Sequence, residues 1–311
     1  MAAPLGSRSR GLLPLLGLAG AVVLWGTSFA STKIALTAFD PMVVVWMRMA
    51  MGSVIVAFIW PLIPKPEYRR GDWRWLAALS LFQPCLYFLF EGYALKYTTA
   101  MQAGALSAIV PLLVAVGARV FLAERLSRTT LIAVVLSMVG VALLSLGSEA
   151  GLHATNPVLG NVLQLLAFVC AAGYMLLVKH LSSRYNPLLL ACIQILAGTV
   201  FFSPAAVTAD WGSILHAPPG PWAATVYLGV LVTLGANALY NFGISRLPAA
   251  RAALAINMIP LVAVLSGWLA LGESLTPVQA VAGVVIGYAM LLGVRGSRRA
   301  VRESPPVPEA A

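Results

Sequence analysis

The stretch VVVWMRMAMGSVIV, residues 43–56, places a single arginine, Arg48, inside an otherwise uncharged and mostly apolar run. A guanidinium stays charged at any physiological pH. A run of this composition is typical of a helix that spans a bilayer, where a charge needs a protein partner or a wet cavity. The surroundings of Arg48 therefore bear on both fold and function.

The composition indicates an all-α integral membrane protein. Only 10% of the 311 residues are charged and 60% are apolar, whereas about 25% of the residues in soluble domains are charged. Apolar stretches of about 20 residues, enough for a helix to cross ~30 Å of hydrocarbon, alternate with short charged segments. The ten stretches predicted to be transmembrane helices are 12–32, 41–60, 73–95, 99–122, 129–146, 157–178, 187–207, 221–245, 249–271 and 277–294.

The two ends of the chain allow simple predictions. Arg8 and Arg10 precede the first apolar run, whose small residues near the end also resemble the cleavage site of a secretory signal. The run is longer than the roughly 7–15 apolar residues of a signal peptide, which favours a retained helix. Residues 295–311 are basic and then rich in proline, and we expect a disordered cytoplasmic tail there.

The basic residues predict the orientation. All of the 20 Lys and Arg residues except Lys33, Arg48 and Lys96 fall in the N-terminal segment, the even-numbered loops or the C-terminal tail. By the positive-inside rule, both termini are then cytoplasmic in a multipass protein of the cell membrane. Attraction between these loops and the anionic lipid bilayer accounts for the net charge of +10. No nucleic-acid partner is therefore predicted.

The sequence predicts neither a metal site nor a cofactor. The three cysteines lie in predicted spans, the three histidines are far apart near the loops, and no Gly-x-x-x-x-Gly-Lys-Ser/Thr loop occurs in the sequence. The alternative function is a multipass membrane enzyme acting on lipid-linked substrates, which needs acid, base or metal groups that converge at one membrane face. The sequence presents no such cluster, so we expect no enzyme.

The chain repeats itself. A shift of 146 positions brings together Lys33 and Lys179, Pro41 and Pro187, and Gly52 and Gly198. A shift of 149 positions brings together Pro111 and Pro260, Glu124 and Glu273, and Leu126 and Leu275. The first five spans thus correspond to the last five. Because five is odd, the second copy enters the membrane from the opposite side. We predict two inverted five-helix repeats, 12–146 and 157–294, joined by a seam loop, 147–156.

Five motifs carry a resemblance to a known family. They are LWGTSFASTKIAL (24–36), FDPMVVVWMRM (39–49), YALKYTTAMQAGALSAIVPLLVA (93–115), FLAERLS (121–127) and RAALAINMIPLVAVLSGWLALGESLTPVQAVAG (251–283). In order and spacing they resemble an EamA-type member of the drug/metabolite transporter superfamily. The resemblance implies ten helices around a central cavity and export of amino acids or other small metabolites. The second copy departs from the first where Arg48 becomes Gln194, so strict functional symmetry is not expected.

Arg48 and Glu91 are the charged candidates for the site. Arg48 lies seven residues after Pro41, about 10 Å from the predicted outer face, and Glu91 lies four residues before Leu95, about 6 Å from the same face. The similar depths predict an ion pair. Three roles stay open: a structural pair, a pair that also contacts substrate, and an arginine that snorkels to the headgroups without a partner.

Two polar stripes are further candidates for the lining of the cavity. Their members are Gln83, Tyr87 and Glu91 in the third span and Thr233, Asn237, Tyr240 and Asn241 in the eighth. Such amides are costly against lipid, although hydrogen bonding between helices without a ligand is an alternative. The other cavity candidates are Trp25, Ser28, Gln102, Gln164, Gln194 and Asn257.

Two prolines and two glycines have predicted mechanical roles. Pro111 and Pro260 lie in the middle of corresponding spans, where each would kink its helix, either as a gating bend or as a static one. Gly283 and Gly287 form a Gly-x-x-x-Gly pattern that indicates a close helix contact, within the protomer or in a homodimer. Taken together, the sequence predicts a secondary-active carrier that moves a small-molecule substrate by alternating access.

Overall fold

The computed structural model describes residues 9–63, 68–121, 128–146, 154–182, 184–244 and 257–303, which contain helices and no β-strand. The helices of the first half are α1 Ser9–Ala35, α2 Pro41–Ile59, α3 Asp72–Ser80, α4 Tyr87–Tyr97, α5 Ala100–Leu106, α6 Val110–Phe121 and α7 Arg128–Leu146. Those of the second half are α8 Pro157–Leu181, α9 Pro187–Phe201, α10 Ser203–Thr208, α11 Trp211–Leu215, α12 Pro219–Val226, α13 Asn237–Ile244, α14 Ile259–Leu271 and α15 Pro277–Glu303.

Six helical segments among the described residues are long and apolar enough to cross a membrane. They are Leu13–Ala35, Pro41–Leu62, Ala100–Phe121, Pro157–Leu181, Leu188–Thr208 and Pro219–Tyr240. Shorter apolar helices cover Arg128–Leu144, Ile259–Leu271 and Pro277–Gly293. Large apolar side chains such as Phe58 and Val200 are exposed on the outside, as expected for a surface that faces lipid. The chain is therefore an all-helical, multipass membrane protein, and the count of ten spans stays a prediction.

The predicted third span is not one continuous helix. Its two parts, α3 and α4, are joined by the π-type segment Leu81–Leu86, in which Gln83 has φ −146° and ψ 122°. Pro84 follows directly and has no N–H to continue the helical hydrogen bonds. The eighth span has a similar π-type segment, Tyr227–Ala236, between α12 and α13. The expectation that Gln83 shares one helical face with Tyr87 is therefore wrong.

Local sequence explains where the long helices begin. The side chains of Asp40 and Asn186 accept hydrogen bonds from the backbone N–H groups of Met42 (2.9 Å) and Leu188 (2.8 Å). Each of these caps is followed by proline at the first helical position, where the missing N–H costs nothing. The same arrangement starts α8, where Asn156 is the cap. These caps fix the helix starts near the ends of the apolar runs.

Helix pairing follows a regular scheme in the described chain. α1 packs on α13 and α14, while α8 packs on α4 and α6. α2 packs on α9, and α7 packs on α15. At the centre of the α2–α9 contact, Ser53 Oγ and Thr199 Oγ1 are 2.7 Å apart, and the two residues are separated by 146 positions. A residue therefore meets its own counterpart under the shift found in the sequence.

Glycines in the same contact show the same reciprocity. A Cβ atom at Gly52 would lie 3.1 Å from Ile195 Cγ2, and one at Gly198 would lie 3.1 Å from Met49 Cγ. Gly198 is the counterpart of Gly52 under the shift of 146, and Ile195 is that of Met49. The contact of Gly52 with Ile195 and the contact of Gly198 with Met49 are therefore the same contact, repeated with the two halves exchanged.

The two prolines occupy first turns of described helices. Pro111 is the second residue of α6, directly after the 3-10 turn Ser107–Ile109. Because its nitrogen cannot donate, the helical hydrogen bonding changes at this point of the span. Pro260 is the second residue of α14, and residues 245–256 before it lie outside the described chain. The mid-span position of Pro260 and gating by either proline stay predictions.

A glycine allows two helices to pack closely at Gly104, whereas the glycines of the Gly-x-x-x-Gly pattern have no close neighbour among the described residues. A Cβ atom at Gly104 in α5 would overlap the Cβ of Ala263 in α14 and lie 3.4 Å from its Cα. In contrast, a Cβ atom at Gly283 or Gly287 would meet nothing within 4 Å. The Gly-x-x-x-Gly pattern therefore makes no close contact within the described part of the protomer.

Replacing Gly104 with alanine is expected to lower the free energy of unfolding by about 1–3 kcal/mol, because the added methyl group forces α5 away from α14. The matched control is Gly287→Ala, which adds the same group in open space and gains up to about 1 kcal/mol of helix propensity. Thermal unfolding of both purified variants in the same detergent measures the difference. Equal midpoints for the two variants would contradict the close α5–α14 contact.

Candidate functional site

Arg48 is buried between the two halves. Its side chain is 8% exposed, and its Nε donates a 2.7 Å hydrogen bond to Thr233 Oγ1. The hydroxyl of Thr233 in turn donates to the backbone oxygen of Leu228 at 2.8 Å, so its oxygen is oriented to accept from Arg48. The guanidinium carbon lies 4.4 Å from the centre of the Phe88 ring, a cation–π contact. Snorkelling of Arg48 to the headgroups is not observed.

Glu91 lies in α4 and is held by a residue of its own helix. The carboxylate is 6% exposed, and Tyr87, one turn earlier, donates its hydroxyl to Oε1 at 2.6 Å. The Tyr87 ring packs edge-on against Phe88, with ring centroids 5.0 Å apart. Phe88 thus contacts both the tyrosine that holds Glu91 and the guanidinium of Arg48.

The predicted direct ion pair is wrong. In the described chain no guanidinium nitrogen of Arg48 comes within 4.0 Å of a Glu91 carboxylate oxygen, although the two charges interact electrostatically. The physical reason is that each charge has another neighbour. Arg48 is taken by Thr233 and Phe88, and Glu91 is taken by Tyr87. The result is two buried opposite charges that interact electrostatically without a direct contact.

The counterpart of Arg48 is uncharged and satisfied. Gln194 donates from Nε2 to the backbone oxygen of Gln83 at 2.6 Å, a carbonyl that the break in the third span leaves free. Correspondingly, a Cβ atom at Gly229, the counterpart of Gln83, would lie 3.4 Å from Arg48 Cα. The two positions are therefore placed alike, but only the first copy carries a charge.

The stripe of the eighth span lies near α1. Asn237 donates from Nδ2 to the backbone oxygen of Thr233 at 2.9 Å. The Tyr240 ring packs on Trp25, with centroids 5.2 Å apart. Ser28 donates to the backbone oxygen of Trp25 at 2.6 Å, which satisfies it within its own helix. The side chain of Asn241 lies outside the described residues.

Gln102 belongs to a different cluster. Its Oε1 accepts from Asn161 Nδ2 at 2.9 Å and lies 3.1 Å from Thr98 Oγ1, and Thr98 Oγ1 is 2.8 Å from Asn161 Oδ1. All three side chains are buried where α5 and α8 meet. The predicted cavity role of Gln102 gives way to hydrogen bonding between helices, and Asn161, which sequence reasoning missed, is its partner.

Glu273 was also missed as a contact residue. It is 2% exposed, and its two carboxylate oxygens accept from the backbone N–H groups of Ala100 (2.9 Å) and Met101 (2.8 Å). A carboxylate from the second half thus satisfies the first turn of α5. The signal in the sequence was a lone acidic residue between two apolar spans. Its predicted counterpart, Glu124, lies outside the described residues.

Two predicted candidates have enclosed amide atoms that find no hydrogen-bond partner among the described residues. Gln164 is 0% exposed, and among the described residues neither its oxygen nor its nitrogen has a hydrogen-bond partner. Nδ2 of Asn257 is enclosed without a partner as well. A buried polar group left unsatisfied costs about 1–3 kcal/mol. Gln164 is therefore a destabilising residue in this conformation.

A polar cluster joins the two halves at one end of the molecule. Asp72, the first residue of α3, accepts from Arg184 Nη1 at 3.0 and 2.9 Å and from the Tyr185 hydroxyl at 2.9 Å. The backbone N–H of Arg69 donates to the same carboxylate at 3.0 Å. Burial raises the pKa of the Asp72 carboxyl, but these hydrogen bonds together lower it more, so the pKa lies below its ordinary value of 3.8.

The corresponding contact at the other end is aromatic. Phe39, the counterpart of Tyr185 under the shift of 146, packs on Trp222 with ring centroids 5.3 Å apart. The counterpart of Trp222 is Leu76, which packs against the apolar cluster that contains Tyr185. One end of the boundary between the halves is thus held by an ion pair and the other by an aromatic pair.

Cavities lie away from the buried charges. A surface cavity of about 280 Å³ is lined by residues 36–41 and by Lys96. Another, of about 350 Å³, lies on the apolar surface of α7. Arg48 and Glu91 line neither of these two cavities.

Comparison with known proteins identifies the class. The model of the EamA-like transporter family matches residues 12–146 and 158–295. The chain therefore belongs to the EamA-like transporter family. It is a membrane transporter and not an enzyme.

Named relatives agree with this class. An uncharacterized transporter of Archaeoglobus fulgidus is 25% identical over 89% of this chain and 95% of its own. The uncharacterized transporter YcxC of Bacillus subtilis is 29% identical over 88% of each chain. A probable terminal-alkyne amino-acid exporter of Streptantibioticus cattleyicolor is 27% identical over 92% of this chain and 95% of its own. A solved crystal structure, 20% identical, shares the fold with a TM-score of 0.56 over 95% of this chain and 99% of that one.

Replacing Gln164 with leucine is expected to raise the free energy of unfolding by about 1–3 kcal/mol, because it removes an unsatisfied buried amide. The matched control is Asn161→Leu on the same helix, which breaks the network with Gln102 and is expected to lower the free energy by a similar amount. Thermal unfolding in one detergent checks both signs. Destabilisation by both variants would mean that Gln164 has a partner in the folded protein.

The Asp72 cluster predicts a pH dependence of stability. Because the folded pKa of Asp72 is lowered, its contribution is fully present above the ordinary value of 3.8 and is lost as the pH falls through the lower folded value. Wild type is expected to unfold at a higher temperature than Asp72→Asn at neutral pH, with a difference that narrows below pH 3.8. A difference that stays constant with pH would contradict an ionised Asp72 in this cluster.

Proposed function

We propose that this protein is a secondary-active carrier that exports amino acids or similar small polar metabolites across the cell membrane by alternating access. The observation that carries the proposal is the buried polar site of Arg48, Glu91 and Thr233, which lies at the boundary of the two halves in a member of a transporter family. Buried charges at such a boundary mark substrate pathways in membrane proteins.

The proposed architecture is ten transmembrane helices in two inverted repeats. In its support, the family model matches the chain twice, at 12–146 and 158–295. The π-type segments begin at residues 81 and 227, again 146 positions apart. The helix pairings and the contacts of α2 with α9 are reciprocal between the halves, which a twofold axis in the membrane plane requires.

The proposed orientation has both termini in the cytoplasm. It is supported by the basic residues of the even-numbered loops. In this orientation the Asp72–Arg184 cluster lies at the cytoplasmic end and the Phe39–Trp222 contact at the outer end. Alternating access then requires that one of these contacts separates while the other stays closed.

The proposed substrate class is supported by the name of one relative and by the chemistry of the site. The relative from Streptantibioticus cattleyicolor is named a probable amino-acid exporter. Arg48 and Glu91 supply one buried charge of each sign, which suits a small ligand with polar groups of both signs.

Purified protein in liposomes preloaded with unlabelled amino acids is expected to take up the same labelled amino acids by exchange, without ATP. Protein-free liposomes are the control. Size-exclusion chromatography and thermal unfolding establish that the reconstituted protein is folded. Absence of exchange across a panel of amino acids and other small polar metabolites, with folded protein, would refute the proposed function.

A further inference from the structure

We infer that Arg48 and Glu91 are the two ends of a binding site for one zwitterion. The carboxylate of the ligand pairs with the terminal nitrogens of Arg48, and its ammonium group pairs with the free oxygen of Glu91. The inference rests on the proposed transport function and adds to it the two residues that bind the charged groups of the ligand.

The atoms required for binding are free. Arg48 donates through Nε to Thr233, and within the described chain its Nη1 and Nη2 make no hydrogen bond. Glu91 accepts from Tyr87 through Oε1, and in the same part of the chain its Oε2 accepts none. The polar side-chain atoms that are fully enclosed without a partner belong to Ser137, Gln164 and Asn257 among the described residues. The free atoms of Arg48 and Glu91 therefore border accessible space.

Each of the two charges is held by other partners and not by the opposite charge. Attraction between opposite charges grows as the distance falls, so two unrestrained side chains would close to contact. Thr233 and Phe88 hold the guanidinium on one side, and Tyr87 holds the carboxylate on the other. A site with fixed and separated charges needs no rearrangement when the ligand enters. The free edge of a guanidinium also matches a carboxylate with two parallel hydrogen bonds.

Charge balance selects the class of ligand. The site sums to zero, because it holds one arginine and one glutamate that are both more than nine-tenths buried. A zwitterion pairs both charges and leaves none uncompensated. A cation, such as an amino-acid amide, has no partner for its neutral end and is repelled by Arg48. An anion, such as an N-acetyl amino acid, is repelled by Glu91 in the same way.

The described residues of the second copy do not repeat this site. The counterpart of Arg48 is Gln194, whose amide is already bonded to the backbone of Gln83. The second copy therefore has no free cationic group at this position. One zwitterion is bound by each protein chain.

The experiment compares three matched ligands in the liposome exchange assay. The probes are alanine, leucine, phenylalanine and glutamine, each with its amide and its N-acetyl derivative. Wild type is expected to exchange at least one free amino acid at least tenfold faster than both of its derivatives. Arg48→Gln is expected to lose the preference over the amide, and Glu91→Gln the preference over the N-acetyl derivative. Arg119→Gln, which removes an exposed arginine of α6, is the control and keeps the order of wild type.

The outcomes separate the inference from the proposed function. If wild type exchanges amino acids and their derivatives equally well, or if both variants keep the wild-type order, the inference is refuted while the transport function stands. If folded wild type exchanges no probe and no other small metabolite, both fail. Where a single variant does not fold, the double variant Arg48→Gln/Glu91→Gln leaves no lone buried charge. It is expected to fold and to treat the three ligands alike, and a retained preference would refute the inference.

Discussion

The structure depends on one constraint, which is that polar groups inside the membrane must be satisfied by the protein itself. Arg48 is met by Thr233 from the other half, and the carboxylate of Glu273 is bonded to the first turn of α5. Gln194 fills the break between α3 and α4, and Lys33 donates to a backbone oxygen near the end of α4 at 2.7 Å. These polar groups are thus satisfied by side chains from other segments of the chain, and three of the four contacts cross the boundary between the halves. The same contacts that make irregular backbone tolerable also hold the halves in register.

The boundary between the halves is not symmetric in its chemistry. At one end Asp72 binds Arg184 and Tyr185, and at the other Phe39 packs on Trp222. The ion pair depends on the charge of the Asp72 carboxylate and weakens as the pH falls through its pKa, whereas the aromatic contact has no titrating group. The two ends therefore respond differently to the solutions that they face. In a carrier of the proposed kind, the free energy needed to separate the halves is then set at one end by the Asp72–Arg184 contact and at the other end by the Phe39–Trp222 contact.

The sequence predicts the membrane class and the helix starts well, because apolar length and proline positions such as Pro41 act locally. It also places Arg48 within a predicted span, but it left open whether the side chain is buried or snorkels to the headgroups. The partner of Arg48 was not predictable, because sequence gives depth along a helix but not the direction in which a side chain points. The break beside Pro84 was missed because the four-residue spacing assumed a continuous helix. Gln102 was misassigned because Asn161, its partner, lies on a helix about 60 positions further along the chain.

The contact of Ser53 with Thr199 has a consequence for ancestry. On the proposed inverted repeat, the two halves descend from one shorter chain whose copies packed against each other. A position on the axis then met an identical residue, so a polar side chain there had to be able to bond to its own kind. A hydroxyl meets this condition, because either oxygen can donate to the other. A residue away from the axis, such as Arg48, does not contact its own counterpart, so the two positions need not carry the same residue. The duplicated gene was free to keep Arg48 in one copy and to carry glutamine at position 194 in the other.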